Sequence, residues 1–236
     1  MKKYIFFDLD DTLYDQELPF IKAFKSSFPE IKVSNWDKLY KLFRQKSDEV
    51  FPLFPNTQEN IEDMWIARMQ LTFKVLGQST SNFQILNFQR NYNNNLQYIC
   101  LFTGVEELLR ILIRKNIFGG IITNGNLKHQ TDKITALKIL NYIPSDRIFI
   151  SSELGVSKPN PKVFQVVASK LDISTSDIIY IGDNYLNDVY AAKKAGCKSI
   201  WFNHRKNIIS DVPIETDLEI STYSKIDTIL EFIENK

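Results

Sequence analysis

The feature that most constrains this chain is a series of short apolar runs, several of which end in polar residues. Tyr4–Leu9, Phe118–Thr123, Arg147–Ser151, Ile178–Gly182 and Ser199–Phe202 are such runs, and Leu218–Ser221 is a weaker sixth. Runs this short, apolar at successive positions, fit strands buried on both faces of a parallel sheet. Helical patterns separate them: Val105–Lys115, His129–Leu140, Pro161–Leu171, Tyr185–Ala195 and finally Ser224–Glu234. The first carries Leu108, Leu109, Leu112 and Ile113 on one face. Pro161 stands near the first turn of its helix, where a missing N–H costs nothing, and Gly196 follows another helix as a C-terminal cap. Strands alternating with helices predict an α/β fold with a doubly wound parallel sheet.

Tyr14 to Tyr98 breaks that rhythm. It holds helical patterns at Trp36–Phe51 and Ile61–Leu76, interrupted by Pro52, Pro55 and Gly77, and a polar asparagine-rich stretch at Asn91–Asn95 that reads as helix surface or loop. No strand stands out. The expectation is a core of residues 1–14 and 99–236 with a smaller helical cap domain, 15–98, inserted after the first strand. A chain of 236 residues is long enough for this arrangement.

Hydrophobic residues make up 44% and charged residues 24%, an ordinary globular balance. A net charge of +1 provides no strong field for a nucleic acid polymer or an anionic membrane. Cys100 and Cys197 show neither metal-ligand spacing nor a redox motif, so both read as free thiols. At the start, Asp8, Asp10 and Asp11 cut the apolar run short of the roughly 7–15 residues of a leader's apolar region. A soluble cytoplasmic protein, monomer or homodimer, is expected.

Four polar clusters carry the chemistry. In open α/β sheets ligands bind outside the carboxyl ends of the strands. The first cluster is Asp8-Leu9-Asp10-Asp11-Thr12. If the strand runs far enough, Asp8 and Asp10 point the same way, and two close carboxylates call for a cation such as Mg²⁺. The competing reading is an acidic turn that caps a helix. The second, Thr123-Asn124-Gly125-Asn126, offers a hydroxyl and backbone N–H groups to phosphate oxygens, or is an ordinary turn. In the third, Ser157-Lys158-Pro159-Asn160-Pro161, the prolines stiffen the backbone around Lys158, which either meets an anion or lies in solvent. The fourth, Gly182-Asp183-Asn184-Tyr185-Leu186-Asn187-Asp188, places Asp183 and Asp188 to complete a cation site, unless Asp183 only caps a helix. His129 and His204 have no nucleophile or ligand partner in the pattern and read as surface or packing residues. No glycine-rich run ends in Gly-Lys-Ser/Thr.

Taken in this order, Phe-Phe-Asp8-Leu-Asp10-Asp-Thr-Leu, Ile-Ile-Thr123-Asn-Gly, Gly-Val-Ser-Lys158-Pro-Asn-Pro and Ile-Gly-Asp183-Asn-Tyr-Leu-Asn-Asp188 closely resemble the haloacid dehalogenase-like (HAD) hydrolase superfamily. The third motif and the Asp-Asp-Thr-Leu start are also similar to the branch containing nucleoside 5′-monophosphatases. One departure is Thr103 before Gly104, where relatives often carry proline. The resemblance implies a Rossmann-like core with a cap that acts as a lid. It implies Asp8 as nucleophile, Asp10 as acid/base, and Thr123 and Asn124 as holders of the phosphoryl group. Lys158 would screen charge. Mg²⁺ would be held by Asp8, the Asp10 backbone carbonyl and Asp183, with Asp188 orienting the metal shell. Dehalogenating members lack the second aspartate of the first motif; this chain keeps Asp10. The implied activity is phosphatase action on a small phosphorylated metabolite, such as a nucleoside 5′-monophosphate or a sugar phosphate, through an aspartyl-phosphate. A phosphomutase and a non-catalytic phospholigand-binding protein are the alternatives. Trp36, Phe51, Phe54 and Trp65 are candidates either for stacking on a base or for the cap's own core.

Overall fold

The computed structural model describes residues 3–54, 61–209 and 214–235. Pro55 therefore lies outside the described residues. The chain forms two compact units, Met1–Asp15 with Cys100–Lys236 and Gln16–Ile99.

The first unit begins with β1 (Tyr4–Phe7). After the other unit, whose described residues include α1 (Glu17–Ser27), α2 (Trp36–Val50), α3 (Ile61–Val75) and α4 (Asn82–Asn95), come α5 (Val105–Arg114), β2 (Phe118–Thr123), α6 (Leu127–Ala136), β3 (Ile148–Ile150), α7 (Ser151–Leu154), α8 (Lys162–Leu171) and β4 (Ile178–Gly182). A π-helical segment, Tyr185–Tyr190, runs into α9 (Ala191–Lys194), followed by β5 (Lys198–Phe202), β6 (Leu218–Ile220) and α10 (Ile226–Asn235). Among the described residues the sheet has six parallel strands in the order β3-β2-β1-β4-β5-β6, with helices on both sides. This is the expected α/β doubly wound sheet. Every residue of β4 is buried, which is why it reads as one continuous apolar run. Phe6, Ile122, Phe149, Val163, Phe164, Val167 and Tyr180 pack into one core cluster, with the Phe164 ring meeting the Tyr180 ring edge-on at 4.9 Å.

The departures are local. The helix expected over His129–Leu140 ends at Ala136, because Lys138 adopts a left-handed φ of 54° before a short 3-10 turn at Ile139–Asn141. Its start lies earlier, where the Asn126 side chain accepts from the Lys128 N–H. Pro161 is the residue before α8 rather than inside its first turn. Ile113 is 49% exposed and falls outside the buried face of α5, which is made by Val105, Leu108, Leu109 and Leu112. Gly104 opens α5 at φ +93°, where an added Cβ would sit 2.7 Å from the Tyr223 carbonyl oxygen. That approach fixes the turn into α5 with or without a preceding proline.

The second unit is helical: α1 (Glu17–Ser27), α2 (Trp36–Val50), α3 (Ile61–Val75) and α4 (Asn82–Asn95). Asn91–Asn95 is thus the last turn of a helix. Asn35 caps α2, and Ser81 with Gln84 forms a capping box on α4. The buried rings are Phe20, Phe24, Phe28, Tyr40, Phe43, Phe73, Phe88 and Tyr92, with the Phe20 and Phe43 centroids 4.8 Å apart. Trp36, Phe51, Phe54 and Trp65 are only half-buried, so this unit's core is built from other aromatics.

Candidate active site

The order of the sheet reverses between β1 and β4, which lie side by side with Phe7 opposite Ile181. A doubly wound sheet leaves its ligand crevice at such a reversal, beyond the carboxyl ends of the strands. Asp8 follows β1 there, its N–H donating to the Ile181 carbonyl at 2.8 Å. Asp183 follows β4. The Thr12 hydroxyl accepts the Asp183 N–H at 3.1 Å and donates to Asp183 Oδ1 at 3.3 Å, joining the first and fourth sequence clusters. The helical segment after β4 is capped by Asn184, whose Oδ1 accepts the Asn187 N–H at 3.0 Å, so capping is not the task of Asp183. Asp188 lies buried in that segment, its Oδ2 accepting the Asn184 N–H at 2.9 Å. Glycine is needed at 182, because a Cβ there would stand 2.3 Å from the Asp188 carboxyl carbon.

Oxygens of Asp8, Asp183 and Asp188 lie within 4.8 Å of one another. Lys158, only 3% exposed, places its Nζ 2.6 Å from Asp8 Oδ1, 2.6 Å from Asp188 Oδ1 and 2.7 Å from the Tyr180 hydroxyl. Tyr180 in turn donates to the Ile122 carbonyl at 2.6 Å. The Asn124 side chain donates to the Lys158 carbonyl at 2.8 Å and accepts the Lys158 N–H at 3.0 Å. It thereby grips the lysine loop, which contains a cis Lys158–Pro159 bond. Burial pushes the Asp8 carboxyl up to about 7; Lys158 opposes that rise, and Asp188 and Asp10 add to it. For Lys158, burial favours the neutral amine, but Asp188 and Asp8 outweigh it and hold the ammonium form. With all three carboxyls ionised, they and the ammonium carry −3 and +1, a formal charge of −2. Hard oxygen donors with that surplus suit a divalent cation such as Mg²⁺.

Asp10 is placed differently. β1 ends at Phe7, so strand alternation does not carry its side chain to the same group as Asp8. Its carboxylate instead accepts from Lys133 Nζ at 2.7 and 2.8 Å, from Gln130 Nε2 at 3.1 Å and from the Tyr14 hydroxyl. The Asp10 side chain thus lies outside the group of carboxylates formed by Asp8, Asp183 and Asp188. Thr123 is buried at the end of β2, and its hydroxyl accepts from Gln130 Nε2 at 2.6 Å.

Sequence reading missed Gln130, Lys133, Tyr14 and Arg205. Gln130 and Lys133 are three apart on α6 and so share a face. Both lie inside the helix expected over His129–Leu140, but nothing in that spacing says that their face meets Asp10 and Thr123. Arg205 follows β5, and its guanidinium forks onto Asp11 at 2.6 and 2.7 Å and reaches Asp15 at 2.7 Å. Burial would raise the Asp11 carboxyl, but the hydrogen bonds from Arg205, with His204 nearby, hold it well below the usual range. His204 stacks against Phe202 at 4.8 Å and meets Phe102 edge-on. Cys100 and Cys197 are both free. No helix among the described residues is long and apolar enough to cross a membrane.

Comparison with known proteins places this geometry. The family described as haloacid dehalogenase-like hydrolase matches residues 5–202. The chain belongs to that family. A glyceraldehyde 3-phosphate phosphatase of Pyrococcus furiosus is 27% identical, covering 99% of this chain and 94% of its own length. The N-acylneuraminate-9-phosphatase of Homo sapiens is 28% identical over 61% of this chain and 57% of its own length. Among solved structures, the HAD hydrolase YfnB of Bacillus subtilis, determined with magnesium bound, superimposes with a TM-score of 0.74 at 21% identity, covering 98% of this chain and 99% of that one. Within its family, the chain is of the phosphatase type.

Proposed function

We propose that this protein is a phosphoric monoester hydrolase that acts in the cytoplasm on small phosphorylated metabolites through an aspartyl-phosphate on Asp8. The observation that carries the reading is the convergence of Asp8, Lys158, Asp183 and Asp188 where the sheet order reverses. The Asp8 carboxylate attacks phosphorus in line, forming an O–P bond as the bond to the leaving oxygen breaks. Asp10 gives that oxygen a proton. Asp10 then takes a proton from water as the water oxygen attacks phosphorus, releasing phosphate and restoring Asp8. The Thr123 hydroxyl and the main chain at Asn124 bind the phosphoryl oxygens, and the Lys158 ammonium offsets their charge against that of Asp8. Magnesium, held by Asp8, Asp183 and the Asp10 backbone carbonyl with Asp188 orienting the set, would neutralise the phosphoryl oxygens when bound.

Relatives named for a triose phosphate and for a sugar-acid phosphate favour a substrate with a phosphate on a short polyol or sugar-like carbon skeleton. The test is phosphate release from a panel of triose, sugar and nucleoside 5′-phosphates, with Mg²⁺, with excess Ca²⁺ and after exhaustive chelation. Turnover of at least one sugar-like phosphate is expected with Mg²⁺, with inhibition by Ca²⁺ and none after chelation. Full turnover after chelation contradicts the metal dependence. Formation of an isomeric phosphate in place of free phosphate would make the protein a mutase, and inertness towards the panel and towards an aryl phosphate would leave a binding protein.

A further inference from the structure

We infer that Gln130 and Lys133 are positioning residues that lock the acid/base carboxylate of Asp10 to the phosphate-binding hydroxyl of Thr123. The inference rests on the phosphatase reading above. Both side chains come from α6, and both residues are buried, Gln130 at 1% and Lys133 at 2% exposure. Lys133 Nζ spans the two Asp10 oxygens at 2.7 and 2.8 Å and donates to Gln130 Oε1 at 2.7 Å. The Gln130 amide nitrogen then reaches Thr123 Oγ1 at 2.6 Å and Asp10 Oδ2 at 3.1 Å. Asp10 lies 120 residues or more from both of its α6 partners in the chain, and this network fixes it relative to β2.

The chemistry gives such a lock a purpose. Asp10 sits on an irregular loop beyond β1, next to Asp11 at a left-handed φ of 59°, so no regular strand directs its side chain. A proton donor must meet the leaving oxygen while Thr123 holds the phosphoryl group of the same ester. Displacing a catalytic group by about 1 Å can cost on the order of 10²-fold. Lys133 and Gln130 make the two groups one rigid piece. Neither is assigned a contact with substrate; both act through Asp10 and Thr123.

The test is a double-mutant cycle between Lys133→Met and Asp10→Asn. Single-turnover rates are read on two esters with Mg²⁺ bound: an alkyl phosphate such as glyceraldehyde 3-phosphate, which needs its leaving oxygen protonated, and 4-nitrophenyl phosphate, which hardly does. Lys133→Met is expected to lose on the order of 10²-fold on the alkyl ester and clearly less on the aryl ester. In the Asp10→Asn background it should widen the gap between the esters no further. Gln130→Leu keeps the local charge and should show the same preference with a smaller loss, so the question is answered even if Lys133→Met folds poorly. Lys133→Arg should restore part of the alkyl rate. Equal losses on both esters from Lys133→Met and Gln130→Leu, or the same extra loss with and without Asp10, overturn the inference. Should Asp10→Asn alone treat the two esters alike, the acid/base assignment itself fails, a different outcome from additivity.

Discussion

The two units bury different things. The unit made of Gln16–Ile99 hides mostly rings: Phe24 lies 4.9 Å from Phe28, and Phe88 stacks on Tyr92 at 6.0 Å. Its buried guanidinium, Arg68, lies over the Phe43 ring at 4.7 Å and donates to Gln89. The other unit buries several charges: Asp8, Asp11, Lys133, Lys158 and Asp188, each with a hydrogen-bonded partner of opposite charge. Buried charge costs several kcal/mol per ion unless it is well paired, whereas buried rings stabilise wherever they pack. Asp8, Lys158 and Asp188 of these charges converge beyond β1 and β4, where the proposed chemistry needs them, whereas Asp11 is paired with Arg205.

The largest expected effect breaks that contrast at its sharpest point. Asp8→Asn removes the nucleophile at nearly constant volume and should lower turnover on the order of 10⁴–10⁶-fold with the far-ultraviolet circular dichroism unchanged. Protein free of deamidation that keeps a tenth of its activity would show that the buried carboxylates are structural after all.

Next come two truncations, one in each unit. Arg205→Met strands the buried Asp11 carboxylate and should cost about 3–5 kcal/mol in denaturant unfolding. Phe88→Ala empties the centre of the ring cluster and should cost a similar amount, about 3–5 kcal/mol. The contrast lies in what is left at permissive temperature. Phe88→Ala should keep its rate of phosphoryl transfer from 4-nitrophenyl phosphate, measured in single turnover, within a few-fold. A rate loss as deep as its loss of stability would mean that the rings are not separate from the chemistry.

The smallest effect is a pH dependence. The Asp11 carboxyl is held below its unfolded value of roughly 3.9. Its contribution to stability is thus fully present above that pH and is lost as the pH falls through the folded value. Without Arg205 the buried carboxyl favours its protonated form. The stability gap between wild type and Arg205→Met should therefore shrink as the pH drops below about 4. A gap constant from pH 7 to pH 3 would mean that Arg205 stabilises by packing alone.

The strand runs were legible because both faces of this sheet are covered, which leaves little room for polar residues within β1 or β4. Three of the polar clusters stood out because they follow such a run where the sheet ends, and the one around Lys158 because two prolines stiffen it. What stayed hidden depends on contacts between residues far apart in sequence. Nothing local to Lys133 says that it meets Asp10, and nothing near Arg205 points to Asp11. Whether Asp8 and Asp10 point the same way depended on how far the strand runs, and β1 stops at Phe7, before both. In the helical unit, Trp36, Phe51, Phe54 and Trp65, open to a stacking or a core role, are half-buried while other rings form the core, since ring content alone does not say which face of a helix is covered.

The central claim is a covalent phosphoryl group on Asp8. The direct measurement is mass spectrometry of enzyme quenched in acid within milliseconds of mixing with Mg²⁺ and the best substrate of the panel. Asp10→Asn protein, mixed with 4-nitrophenyl phosphate, is included because that ester's first step hardly needs the acid while the second step should be slow. Reduction with borohydride after the quench converts an aspartyl-phosphate to homoserine and marks the position. The account predicts phosphorylation, and homoserine after reduction, at position 8, accumulating further in Asp10→Asn. A phosphoryl group on another residue, or none at any time during verified turnover of both proteins, would contradict it.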